Sequence, residues 1–262
     1  MDRTMTMTTT ATIARAPARW LAHALRMAAL AAVAAAGLGG CASVGVGEAP
    51  GGGASVFTGE LRPASRDAMW FVFLESGKTG FTERTALEAM QRGHIANFQR
   101  LFAEKKLLAA GPLKDPTEFK RGIVVVKAPT QQELGSYFQP DQYVREGYLK
   151  LNAAPALVNR ALATEGLDTS AMEEVRIVQV MRGDKVLGAA DAAAQRAALQ
   201  RLVDQGTFGA WYTLEAGPVA EVLFSKNRDD KALQTALAGL PAVKGGAPVA
   251  VWGQWFAKGV LR

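Results

Sequence analysis

Cysteine is nearly absent: the 262 residues include one, Cys41. That excludes any disulfide framework within the chain. Histidine is almost as scarce, with His23 and His94 alone. A zinc-type site needs several His or Cys ligands, so no metal site is expected. No apolar run reaches the roughly 20 residues that a membrane-spanning helix requires. The apolar, uncharged region from Met27 to Gly40 falls short of that. Lys and Arg outnumber Asp and Glu by 30 to 24 but are scattered among them, which is no nucleic-acid footprint. No Gly-x-Ser-x-Gly elbow occurs. Ser76-Gly77-Lys78-Thr79 imitates the end of a phosphate loop, but Val72 stands where that motif needs its first glycine. No cofactor is expected.

What is present begins with a leader. Arg3, Arg15, Arg19 and Arg26 precede the apolar stretch, and small residues end it, as in a secretory signal. Leu38-Gly39-Gly40-Cys41 resembles the bacterial lipobox. The resemblance implies cleavage before Cys41 and acylation of its sulfur, with the lipid bilayer as partner. Residues 1–40 are then signal peptide, and 41–67, rich in Gly, Ala and Ser, a flexible tether. No aspartate follows the cysteine, so the expected location is the outer membrane, facing the periplasm. The mature chain keeps a mildly basic balance.

The remainder reads as one order written twice. Met69–Glu75 is a short apolar run that fits a buried strand. A helix from about Thr82 to Lys105 carries Leu87, Met90, His94, Phe98, Leu101 and Phe102 on one stripe. Strands Leu107–Leu113 and Gly122–Lys127 follow, then a helix opened by the capping box Thr130-Gln-Gln-Glu133, then a strand from Tyr148. The second half repeats this as strand Val175–Met181, helix Ala189–Gln205, strands Thr207–Leu214 and Val219–Ser225, helix Asp229–Ala238 with Gly239 as C-cap, and strand Val249–Phe256. Ala154 to Ser170 is read as helix and linker. The fold class expected is α+β: two tandem ferredoxin-like βαββαβ repeats, 68–163 and 171–262, packed sheet-to-sheet as an intramolecular dimeric α/β barrel. One chain supplies both halves, so a monomer is expected.

The first half, with His94 on its helix, Gly111-Pro112, the strand Ile123–Val126 and Asp141 in the later loop, resembles the YCII-related (YciI-like) family of the dimeric α/β-barrel superfamily. In that family a proline follows the loop aspartate; here Pro140 precedes Asp141. The resemblance implies a His94–Asp141 pair in a cleft, with Gly111, Pro112 and Tyr143 lining it. Opposite His94 the second half offers Ala194 or Gln195, and opposite Asp141 it offers Pro241 or Ala242. Only the first half keeps an ionisable pair. His94 is the one histidine left after the leader, and histidine is the side-chain type whose ordinary pKa, about 6.5, lies in the physiological range.

The expected function is that of a membrane-anchored periplasmic lipoprotein binding a small molecule near His94 and Asp141. The first rival is a cofactor-independent lyase or isomerase with His94 as general acid/base and Asp141 orienting it. The second is an envelope protein that acts through protein contacts alone.

Overall fold

The computed structural model describes residues 68–80 and 83–262. The leader, Cys41 and the tether lie outside the described residues. Eight strands form one closed antiparallel barrel: β1 (Met69–Ser76), β2 (Leu107–Lys114), β3 (Lys120–Lys127), β4 (Leu149–Arg160), β5 (Asp168–Met181), β6 (Ala210–Leu214), β7 (Val219–Ser225) and β8 (Val249–Lys258). Their order around the barrel is β1-β3-β2-β8-β5-β7-β6-β4. Helices α1 (Arg84–Ala103), α2 (Gln131–Tyr137) and α3 (Gln142–Arg145) belong to the first half. Helices α4 (Ala189–Asp204), α5 (Asp230–Leu237) and α6 (Pro241–Lys244) belong to the second.

This corrects the expectation of two ferredoxin-like repeats packed sheet against sheet. There are not two sheets: the edge strands join, and one barrel interior serves both halves. β2 pairs with β8 through Leu113 and Lys114, and β4 pairs with β6 from Ala156 to Arg160. The segment read as a helix from Ala154 is the reason. It continues β4 as a strand of 12 residues, long enough to reach past β1 and take β6 as a second neighbour. Closure removes the unpaired N–H and C=O groups that an open sheet edge would expose.

Side-chain alternation sorts each strand into two layers. On β1, Phe71 and Phe73 point into the barrel, while Trp70, Val72 and Leu74 point out under the first-half helices. The interior is filled by rings: Phe71 lies 5.1 Å from Phe73 and 5.7 Å from Tyr212, and Phe224 lies 5.3 Å from Phe256. Outside, Leu101 of α1 with Leu134 and Tyr137 of α2 cover one half, and Leu199 of α4 with Leu233 and Leu237 of α5 cover the other. Each fully buried large apolar side chain contributes about 1.5–3 kcal/mol. Thr130 caps α2 by accepting from the Glu133 amide at 3.1 Å, but the Glu133 carboxylate turns to the Tyr137 hydroxyl, so the box is half formed. Gly239 follows α5 without adopting the left-handed conformation expected of a glycine cap.

Gly111 sits where β2 meets β8, on the inward side. A Cβ there would lie 1.8 Å from the Trp255 carbonyl oxygen. Gly93, exposed on α1, has no such neighbour. Gly111→Ala should therefore cost at least about 1–3 kcal/mol by overpacking. Gly93→Ala should stabilise by about 0.5–1 kcal/mol. Urea unfolding of both variants checks this, and equal midpoints would mean that the seam is loose.

Candidate functional site

The site is built where α1 crosses the turn between α2 and α3. Asp141 is the N-cap of α3: its Oδ1 accepts from the Tyr143 amide at 3.0 Å, and its own amide donates to the Phe138 carbonyl at 3.0 Å. Its Oδ2 lies 2.6 Å from Nδ1 of His94. An ionised carboxylate only accepts, so Nδ1 carries the proton and donates. The Asp141 side chain is fully buried, whereas 14% of the His94 side chain is exposed. Among the described residues, nothing donates to or accepts from Nε2. The pair therefore fixes one ring nitrogen and leaves the other to outside chemistry.

Aromatic rings frame the imidazole. Phe98, one turn further along α1, lies 4.3 Å away at 51°, and Tyr143 presents its edge at 5.6 Å and 84°. Phe98 in turn meets Phe138 edge-on at 6.3 Å. The Tyr143 hydroxyl donates to the Leu87 carbonyl at 3.3 Å, which ties α3 back to the start of α1. Burial, and then the Asp141 charge, hold the Tyr143 phenol above its ordinary pKa, so it stays a neutral donor.

Sequence reading missed two residues of the same α1 face. Asn97 donates to the Tyr137 carbonyl at 3.0 Å, and Arg100 donates to that carbonyl at 3.2 Å and to Asn97 Oδ1 at 2.8 Å. With His94 these fall at three-residue steps, the spacing that marks one side of a helix. The face is thus a polar clamp on the α2–α3 segment, and His94 is its ionisable member.

The structure brings His94, Asp141 and Tyr143 together but puts Gly111 and Pro112 elsewhere. Gly111 packs against Trp255 and Gln254 at the β2–β8 seam, and Pro112 pairs with Gly122 of β3. Their role there is strand packing. In the second half, Gln195 of α4 occupies the place of His94. Its Oε1 accepts from the Ala242 amide of α6 at 2.9 Å, a neutral bond where the first half has an ionisable pair. Among the described residues, no group of three or more His, Cys, Asp or Glu is placed to hold a metal ion.

Residues 69–151 match the model of the YCII-related domain. No curated protein matches the chain. Among solved structures, a proposed monooxygenase from Fusobacterium nucleatum is similar at 12% identity and TM-score 0.45, covering 74% of this chain and 96% of that one. Chlorite dismutase from Candidatus Nitrospira defluvii is similar at 11% identity and TM-score 0.45, covering 71% and 90%. A heme-binding protein from Thermus thermophilus is similar at 10% identity and TM-score 0.44, covering 74% and 95%.

Asp141→Asn keeps a good N-cap for Tyr143 but offers His94 a choice of donor or acceptor, whereas Asp141→Ala removes the cap, a loss of about 1 kcal/mol. The alanine variant should unfold at clearly lower urea than the asparagine variant. In the wild-type protein the neutral imidazole should be the Nδ1–H tautomer, read from the nitrogen-15 shifts of the His94 ring. An Nε2–H tautomer there would contradict the pairing.

Proposed function

We propose that this chain, whose residues 69–151 are a YCII-related domain, is a membrane-anchored lipoprotein that binds a small molecule at His94. One observation carries the reading: an imidazole held from behind by a buried carboxylate, bracketed by two rings, with its outer nitrogen uncommitted. Rings on either side of a single oriented polar atom suit a small, largely apolar ligand that carries one hydrogen-bonding group. The outer nitrogen can accept a proton from such a group or return one, the work of a general acid/base. The same geometry thus favours, as the second reading, a cofactor-independent lyase or isomerase in which Asp141 orients His94.

The anchor rests on the lipobox resemblance at Cys41. Among the described residues no helix is long and apolar enough to cross a membrane. An acyl chain binds a bilayer at about 0.8 kcal/mol per buried methylene, and more than one chain makes the attachment stable. The tether of residues 42–67 would then carry the barrel off the surface of the outer membrane, on its periplasmic side.

Two experiments test the proposal. A library of small ring compounds is screened against the chain while the His94 ring protons are followed by NMR. Compounds that shift them should lose at least about tenfold in affinity with His94→Gln, while Gln195→Ala leaves binding unchanged. A screen in which no compound moves the His94 signals, or in which His94→Gln binds equally well, rejects the site. Mass analysis of membrane-extracted protein should find an N-terminal acylated Cys41, and Cys41→Ala should abolish cleavage and acylation. Uncleaved chain carrying a free thiol would sink the anchor.

A further inference from the structure

The two ends of the barrel differ in chemistry. At one end the Tyr212 hydroxyl accepts from the Leu162 amide at 3.0 Å, and Leu162, Val260 and Leu261 join the apolar interior. The C-terminal residues plug that end against Gly209. The opposite end is polar. Glu75 and Gln179 point inward there, in register with Phe73 and Ile177, and both are buried. Asn152 donates to Glu75 Oε1 at 2.6 Å. Asn152 also lines, with Phe73, Leu214 and the Gly217–Val219 turn, a small concavity open to solvent.

Lys120 governs this mouth. It stands directly opposite Glu75 across β1 and β3. Yet its ammonium does not pair with that carboxylate. It reaches across to β5, three strands round the barrel, and donates to Gln179 Oε1 at 2.7 Å. On the way it lies 4.1 Å from the centre of the Phe73 ring and 5.4 Å from that of Trp252. The bond from Lys120 identifies Oε1 as the accepting atom of Gln179, so Nε2 is its donor. That Nε2 is buried and meets no acceptor among the described residues. A buried donor left unpaired is destabilising, so a partner there is favoured.

The mouth thus offers two donors, Lys120 Nζ and Gln179 Nε2, on one side and a carboxylate, Glu75, on the other. A lone anion would satisfy the donors but meet the repulsion of Glu75. A lone cation would suit Glu75 but meet Lys120. A molecule with both signs a few ångströms apart suits both. We infer that the polar mouth of the barrel is a second binding site, independent of His94, for a small zwitterion such as a short-chain α-amino acid. Its carboxylate takes Lys120 and Gln179, and its ammonium takes Glu75.

The test titrates the full chain with glycine, acetate and methylammonium in parallel, following the side-chain amide of Gln179 and the terminal methylene of Lys120 by NMR. Glycine should act at a concentration about tenfold or more below either single-charge probe. Glu75→Gln, which preserves shape, should erase that preference, and Lys120→Met should abolish the response. Should Lys120→Met fail to fold, Gln179→Leu, expected to weaken glycine about tenfold, takes its place. His94→Gln should change nothing at this mouth, which separates the inference from the proposal about His94. The inference is overturned if glycine moves neither signal, if acetate matches it, or if the preference survives Glu75→Gln.

Discussion

Closure of the barrel is the constraint on which the rest depends. A four-stranded sheet made by either half alone would leave its outer strands unpaired and its inner face uncovered. Joining β4 to β6 and β2 to β8 removes both problems at once, because the seams pair the edges and each half covers the other's inner face. The two seams are unequal. β4–β6 runs from Ala156 to Arg160, whereas β2–β8 rests on two residues of β2 with a Lys114–Glu174 ion pair at 3.3 Å beside it. Exposed ion pairs are worth at most about 1 kcal/mol. The β2–β8 seam is therefore held chiefly by close packing, which is why a glycine stands at 111: a Cβ there would run into the Trp255 carbonyl, whereas one at Gly253 would meet only the side chains of Lys114 and Glu174.

A closed interior must be filled, and eight strands leave room for little more than side chains. Rings from both halves do the filling, so the interior cannot be assigned to one repeat. The polar side chains are gathered in two other places. One lies outside the barrel, where α1 grips the α2–α3 turn. The other lies at the polar end, where the packing of rings gives way to Glu75, Lys120 and Gln179. Burial holds the Lys120 amine below its ordinary pKa, with the charges of Glu75 and Asp115 opposing that shift. The two rings beneath the ammonium favour its charged form in the same way as those carboxylates do.

Much of this was legible in the sequence and some was not, for identifiable reasons. Strand β1 is an unbroken apolar run because both its faces are buried, and it could be read as such. The approach of His94 to Asp141, 47 residues apart, follows from the family resemblance; aligning the halves leaves Ala194 or Gln195 and Pro241 or Ala242 opposite that pair, and the structure joins Gln195 to Ala242. The segment from Ala154 misled because alanine-rich stretches favour helix in isolation. Here the pairing of Ala156 to Arg160 with β6 overrides that preference, which no local pattern reveals. The resemblance puts Gly111 and Pro112 in the site, yet Gly111 packs against β8 at a seam created only by closure, and Pro112 pairs with Gly122 of β3. Lys120 lies outside the expected strand, which starts at Gly122, and an irregularity between Leu74 and Glu75 skips Arg121 and turns Lys120 inward, where strict alternation would send it outward.

The second half supplies a comparison within one molecule. Both halves need a long helix pinned to the short helical turn that precedes their last strand. In the second half Gln195 does this by accepting from the Ala242 backbone, a bond that burdens the interior with no charge. In the first half the same task uses a fully buried carboxylate. Burying a charge costs far more than burying an amide unless the charge is well paired. Asp141 receives two donors, the His94 ring and the Tyr143 amide, where a carboxylate can take more. A neutral pair would thus hold the fold at lower cost, as the other half demonstrates. The fold does not require an ionisable pair at this position, and what it adds over Gln195 is a ring nitrogen held facing away from the carboxylate, able to exchange a proton.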